Sequence, residues 1–280
     1  MSNPNTKVYL VTGASSGIGA SAARLLLDAG HHVYVAARRT DRLQVLAQAG
    51  AHPLALDVTD DAQMTRAVDA IISERGRIDG LVNNAGYGEY GSLEETPMDK
   101  ARYQFEVNVF GLARLIQLVL PTMRAQRSGR IVNISSIGGR IGEPHGAWYH
   151  ATKFAVEGLS DSLRMELKQF DIDVVVIQPG AIKTEWNAIA RDKLVETSGS
   201  GPYGELARKH AAFLRQADEG NQASEPEVVG KAIVKALLSR KPKTRYAVGG
   251  GAKPVLWMRR LLPDRGFDGV MLGLIGRASG

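Results

Sequence analysis

Tyr149 and Lys153 stand four residues apart in the stretch "GAWYHATKFAVEG". On a helix, that spacing stacks them one turn apart on one face. A surface Tyr–Lys pair is the plain outcome of such a pattern; the reactive one is a phenol made more acidic by a neighbouring ammonium. Free tyrosine titrates near ~10. An ammonium about 4 Å away, at an effective dielectric of ~20, contributes ~4 kcal/mol, enough to lower the phenol's pKa by up to ~3. A phenol tuned in this way can give a proton to a carbonyl oxygen and take one from an alcohol. His150 adjoins Tyr149, but one position along a helix it points elsewhere, so it stays out of this chemistry.

A second group of residues suits an anion. "TGASSGIG" follows an apolar run and opens a segment with helical periodicity. Gly13, Ser15, Ser16, Gly17, Ile18 and Gly19 therefore lie where a helix N-terminus offers free N–H groups and glycines admit a phosphate close to the backbone. The glycines are spaced GxxxGxG rather than GxGxxG. At the end of the next apolar run, where an acid would accept a ribose 2′-hydroxyl, the chain has Ala37 followed by Arg38 and Arg39. Two guanidinium groups and no carboxylate suit a 2′-phosphate. The expected cofactor is NADP(H), with NAD(H) as the alternative.

The elements that hold these residues alternate. "KVYLVTG", "HHVYVAAR", "AHPLALDV", "IDGLVNNAG", "GRIVNISS" and "DVVVIQPG" read as six strands, continuous apolar runs without polar alternation. Between them lie segments of helical period, including "TDRLQVLAQAG", a long stretch from about Tyr103 to Arg127, and the Tyr–Lys segment running to about Phe170. This alternation predicts a doubly wound α/β (Rossmann-type) parallel sheet with helices on both faces, in one domain. After Gly180, residues 183–221 are polar and mostly helical, broken by "TSGSGPYG"; a further helix and a short strand, "TRYAVGG", follow. The reading divides the chain into a catalytic domain, 1–251, with a lid-like region at about 183–224, and an apolar, basic extension, 252–280.

Taken together, these motifs resemble the short-chain dehydrogenase/reductase family from about Lys7 to Thr184, with a weaker fit to about Val248. "TGASSGIG" resembles the family's cofactor turn, Asp57–Val58 its adenine-side contact, and Asn84, Ala85 and Gly86 of "NNAG" its turn after the fourth strand. Pro179, Gly180, Ile182 and Thr184 resemble its nicotinamide-side loop. Asn108, Ser136, Tyr149 and Lys153 match its catalytic tetrad in order and spacing. The resemblance implies NAD(P)(H)-dependent interconversion of a hydroxyl and a carbonyl. It also implies that Lys153 binds the nicotinamide ribose, that Ser136 holds the substrate oxygen beside the phenol, and that Asn108 holds a water relaying protons to Lys153. Read on their own, Ser136 is equally a turn or cap serine, Asn108 a satisfied helical amide, and Asp57 and Asn84 strand-end residues.

Composition narrows the rest. The net charge is +6, but the densest basic patches, "AARRTDR" and "WMRRLLPDR", lack interleaved aromatics, so no nucleic-acid partner is expected. The chain has no cysteine, and its six histidines (His31, His32, His52, His145, His150 and His210) form no HxxxH or HExxH, so no metal site is expected. No secretory signal and no apolar run near ~20 residues is evident, which predicts a cytoplasmic enzyme with a small-molecule substrate, expected as a homo-oligomer. Trp148, Trp186 and Phe213 are candidates for an apolar pocket or for core packing. A non-catalytic dinucleotide-binding sensor or scaffold is the rival reading; a nucleotide-sugar epimerase fits poorly, because the chain ends too soon for a larger substrate domain. In the extension, Val255, Leu256, Trp257, Met258, Leu261 and Leu262 precede Pro263, and Phe267, Val270, Met271, Leu274 and Ile275 recur at helical spacing. That pattern fits packing on the domain or a neighbouring subunit, or peripheral contact with a membrane.

Overall fold

Seven strands form one sheet, all paired in parallel: β1 (Val8–Thr12), β2 (His32–Ala37), β3 (His52–Ala55), β4 (Gly80–Asn83), β5 (Gly129–Ile134), β6 (Ile172–Pro179) and β7 (Arg245–Val248). Their order is β3-β2-β1-β4-β5-β6-β7. The structure, a computed structural model, describes residues 6–220 and 222–278. The expectation of no secretory signal rests partly on Met1–Asn5, outside the described residues. Asn221, the end of the polar stretch, and Ser279–Gly280 of the extension also lie outside them.

The period of two along a strand explains the double cover. Val8 and Leu10 face one core with Ile131 and Val174; Tyr9 and Val11 face the other with Val132 and Val175. Helices α1 (Gly17–Asp28), α2 (Gln44–Gln48), α3 (Asp61–Arg75), α4 (Met98–Phe105), α5 (Gly111–Gln126) and α6 (Ala147–Leu167) come from the first part of the chain. Residues of α3, α5 and α6 pack into the first core, and α1 and α9 (Pro226–Leu238) into the second. Strand order reverses between β1 and β4, which pair directly. In an open parallel sheet the crevice at the carboxyl ends of such strands is where a ligand binds.

Four local expectations need correction. The long helical stretch starts at Met98 rather than about Tyr103, and a π-helical segment, Glu106–Phe110, joins α4 to α5. By length and composition alone, Met98–Gln126 would suit a membrane span, contrary to the expectation that no stretch approaches one. Its apolar stripe, Leu112, Leu115, Ile116, Val119 and Met123, instead packs in the first core. "TDRLQVLAQAG" forms a 3-10 turn at Thr40–Leu43 before the short α2, not one helix. β3 alternates between partly buried and exposed residues instead of being buried throughout, because it is an edge strand. Pro53, which lacks an N–H, is tolerated at such an edge.

Beyond β6 lie α7 (Glu185–Ser198) and α8 (Gly204–Glu219), which pack on one another. The extension forms α10 (Ala252–Leu261) and α11 (Asp264–Gly276), with Pro263 as the cap between them. Phe267 and Met271 bury against Ile141, with Val255, Met258 and Leu262 beside them. This inner stripe therefore packs on the chain's own domain.

Candidate active site

The site begins at the switch point. After β1, Gly13 takes φ +63° and Gly17 φ +54°, left-handed conformations that side chains rarely adopt. A Cβ on Gly19 would lie 2.5 Å from the Gly13 carbonyl oxygen, so the turn cannot close with a larger residue. Asn84, after β4, ties the two strand ends: its Nδ2 donates to the carbonyls of Thr12, 3.0 Å, and Gly13, 3.1 Å. Ser16 stands at the N-cap position of α1 without forming a side-chain cap bond, so its hydroxyl does not occupy the first turn's donors. Thr184 reaches the same turn; its Cγ2 would lie 3.2 Å from a Cβ on Gly17. Glycine backbone, an uncapped helix start and two converging loops fit a pyrophosphate.

Tyr149 and Lys153 are both buried on α6. Lys153 Nζ lies 5.8 Å from the centre of the Tyr149 ring and donates to the Ile134 carbonyl at 2.9 Å. Ser136 follows β5; its Oγ accepts from Gly138 N–H at 3.0 Å and donates to the Pro179 carbonyl at 3.5 Å. Asn108 sits in the π-helical segment, buried, a kind of bulge frequent at functional sites. Its amide donates to the Tyr87 carbonyl and to Thr152 Oγ1, and its Oδ1 accepts from Tyr87 N–H. A Cβ on Gly86 would lie 3.0 Å from Asn108 Oδ1 and 3.9 Å from Lys153 Nζ, so the bare glycine keeps the space between them open.

The electrostatics differ from the sequence expectation. Burial pushes the Tyr149 phenol up to about 12, against a hydrogen bond with Ser136 that lowers it. Burial lowers Lys153 to about 8, with the Glu157 carboxylate opposing. The anticipated acidification of Tyr149 is absent: desolvation outweighs the Ser136 hydrogen bond, and the Lys153 ammonium, 5.8 Å from the ring centre, donates to the Ile134 carbonyl. Glu157, one turn beyond Lys153, is a buried carboxylate held by Arg245 at 2.9 Å, Arg140 at 3.1 Å and Gln178 at 2.9 Å.

Residues 7–194 match the family model described as short chain dehydrogenase. The chain belongs to the short-chain dehydrogenase/reductase family. VdlC of Helicobacter pylori, a probable short-chain type dehydrogenase/reductase, is 33% identical over 96% of this chain and 98% of its own. A 3-ketodihydrosphingosine reductase of Bacteroides thetaiotaomicron is 36% identical over 87% and 88%. A short-chain dehydrogenase structure from Streptomyces avermitilis superposes with TM-score 0.80, at 36% identity, covering 92% of this chain and 93% of that one. Two further neighbours carry cofactor: a metagenomic short-chain oxidoreductase with NADP (27% identity, TM-score 0.68, 86% and 96% covered) and one from Burkholderia phymatum with NAD (26%, 0.77, 93% and 94%). Both dinucleotides therefore occur among relatives of this short-chain dehydrogenase.

The remaining site residues fall as follows in this family member. Arg38 and Arg39 are exposed at the end of β2; Arg38 donates to Tyr103 Oη at 3.1 Å. Arg39 meets the Glu185 carboxylate at 3.5 Å, and Arg42, which the sequence reading did not single out, meets it at 2.8 Å. Arg42 is legible in "AARRTDR" only once the chain is known to turn back through the 3-10 segment. Asp57 is committed to its own turn through Thr59 N–H and Oγ1, with Val58 buried behind it. Ala85 packs on the first core, Ile182 in the second, and Gly180 closes on the Gly250 carbonyl, 2.1 Å from where its Cβ would be. Around Tyr149 stands an apolar wall of Tyr90, Trp186, Leu194, Ala207 and Ala211; the Trp186 and Tyr149 ring centres are 5.0 Å apart. Trp148 instead packs on Phe105, and Phe213 beside His210, so neither joins this wall. Among the described residues no group of three or more His, Asp or Glu is arranged to hold a metal.

Proposed function

We propose that this chain is an NADP(H)-preferring oxidoreductase that interconverts an alcohol and a carbonyl on a bulky apolar substrate, with Tyr149 as the acid and base. The observation that carries the reading is Tyr149 itself: buried, bonded with Ser136, one turn from Lys153 and enclosed by the Tyr90–Trp186–Leu194 wall. When bound, a nicotinamide dinucleotide supplies hydride exchange at carbon. The chain's part is to hold the substrate oxygen between Ser136 Oγ and Tyr149 Oη and to move one proton there. Lys153, within reach of the Gly86 turn, would grip the cofactor's ribose, and Asn108 would keep the Tyr87 backbone and Thr152 in place around it. The wall excludes water from the reacting oxygen. A relative that is a 3-ketodihydrosphingosine reductase supports a long-chain ketone as substrate.

The test is NADPH oxidation with ketones and aldehydes of graded chain length. Turnover rising with chain length supports the reading; binding of NADPH without turnover on any member of the series favours the dinucleotide-binding sensor. Exposed Phe110, Phe154 and Met165 on and beside α5 and α6 offer apolar surface to a second copy and support a homo-oligomer.

With its pKa held up by burial, the phenol keeps its proton through neutral pH and is ready to donate. Lys153 loses its charge as pH rises through about 8, weakening the ribose grip. Reduction is therefore expected to show a flat kcat/KM from pH 6 to about 7.5 and a decline above about 8. Oxidation, which needs the phenolate, is expected to gain with pH over the same range. A reduction rate that climbs steadily to pH 9.5 would contradict this assignment.

Membrane contact through the extension is the remaining expectation. Trp257 and Leu261, one turn apart on α10, are 67% and 58% exposed and flanked by Lys253 and Arg260. The full chain is expected to co-sediment with anionic vesicles at low salt and Trp257→Ser/Leu261→Ser to lose at least half of that binding. Full-length protein that stays in the supernatant would leave the extension a packing element.

A further inference from the structure

Between Ser136 and Tyr149 the chain makes a loop that must place two hydroxyl groups on one oxygen. Ser136 Oγ takes its orientation from Gly138, whose N–H it accepts at 3.0 Å. The Gly138 carbonyl in turn lies 2.9 Å from His150 Nδ1. At the loop's other end, Glu143 N–H donates to His150 Nε2 at 3.1 Å. A carbonyl only accepts and a backbone N–H only donates, so the two contacts fix the neutral ring with its proton on Nδ1. His150 is 6% exposed and is the residue next to Tyr149 on the first turn of α6.

The loop is also fitted sterically to this ring. A Cβ on Gly138 would lie 2.9 Å from His150 Nδ1 and 3.2 Å from Tyr149 Cε1; one on Gly146 would lie 2.7 Å from His150 Nε2. The imidazole and phenol rings meet edge to face with centres 5.6 Å apart. Pointing away from the phenol oxygen, as the sequence reading expected, does not make His150 idle. Its ring fills the space between the Ser136 turn and the helix carrying Tyr149.

We infer that His150 is a positioning residue: one imidazole, tying Gly138 and Glu143 to the start of α6, sets the separation of the Ser136 and Tyr149 hydroxyls. The inference rests on the proposed roles of Ser136 and Tyr149. A shift of the Ser136 turn by about 1 Å is expected to cost ~100-fold in turnover, because proton transfer depends on that alignment. Cofactor affinity is expected to stay unchanged, because neither tie touches the glycine turn or Lys153.

Three variants separate the contacts. His150→Leu removes both. His150→Asn keeps a donor near Nδ1 for Gly138 and loses the acceptor for Glu143. His150→Gln keeps an acceptor near Nε2 and loses the Gly138 tie. Two measurements are made on each: kcat and KM with the best carbonyl substrate found, and amide hydrogen exchange at Gly138 and Glu143 in cofactor-free protein. The Leu variant is expected to lose protection at Glu143 and to drop kcat by ~10–100-fold with KM for NADPH unchanged. The Asn variant is expected to recover most of kcat, the Gln variant little of it. Full kcat in the Leu variant, or equal rescue by Asn and Gln, overturns the positioning role. Unchanged exchange at Glu143 in the Leu variant overturns the tie itself. If the Leu variant does not fold, the Asn–Gln contrast decides alone. If the wild-type chain turns over no carbonyl, the proposed function fails, while the exchange data still judge the tie.

Discussion

Tyr149→Phe is expected to lower kcat for carbonyl reduction by roughly 10²–10⁴-fold, the range of a general acid positioned at the reacting oxygen, while NADPH binds nearly as before. Tyr149 is enclosed by Tyr90, Trp186 and Leu194, away from the glycine turn, so removing its oxygen leaves the pyrophosphate cradle untouched. Phenylalanine keeps the ring and its packing. Lys153→Met is expected to act differently. The ammonium donates to the Ile134 carbonyl and faces the opening beside Gly86, so its loss damages cofactor affinity and turnover together. It also leaves Glu157 without a cation on that side, although Arg245 and Arg140 still hold the carboxylate. Titration of NADPH fluorescence and steady-state kinetics on the two variants distinguish the roles. Substantial activity in Tyr149→Phe would place the proton donor elsewhere.

The pattern of strands and helices was legible because each core strand is a continuous apolar run between turn residues, and because the glycine turn lies where the first strand ends. The positions of the glycine turn after β1, of Ser136 after β5 and of Tyr149 and Lys153 on α6 were legible for the same reason: each lies at a strand end or on a helix that the pattern fixes. What the sequence hid was of two kinds. One is backbone detail: the π-helical segment Glu106–Phe110 around Asn108, between α4 and α5, has no signature in residue type. The other is long-range pairing. Glu185 meets Arg42 across 143 residues of chain, and Arg245 meets Glu157 across 88. No local spacing encodes either pair. The same limit applies to the phenol. The Tyr–Lys spacing suggests an attraction at about 4 Å, but burial of the phenol, which spacing does not encode, raises its pKa instead.

Replacing Ala37 by Asp together with Arg38 and Arg39 by Gln is expected to reverse cofactor preference from NADPH to NADH. A charge-assisted hydrogen bond to a phosphate is worth ~1.5–3 kcal/mol, so losing two of them weakens NADPH by about 100-fold or more. The new carboxylate repels the 2′-phosphate and can accept a 2′-hydroxyl. The present geometry adds a term that the arginines alone do not have. Glu185, the first residue of α7, already sits on Arg39 at 3.5 Å and Arg42 at 2.8 Å. A 2′-phosphate reaching these guanidinium groups competes with that carboxylate. Exposed ion pairs contribute ~0–1 kcal/mol, so Glu185→Gln is expected to tighten NADPH by no more than about fivefold and to leave NADH unchanged. Both effects should shrink as salt rises, because the groups are solvent-exposed and screened beyond about 8 Å at physiological ionic strength. Isothermal titration of both dinucleotides at 20 and 150 mM salt, on wild type and the two variants, reads each term separately. If the wild type binds NADH as tightly as NADPH at 150 mM salt, the arginine patch is not a phosphate site. If Glu185→Gln tightens both dinucleotides equally, the carboxylate acts on the lid helix rather than on the phosphate.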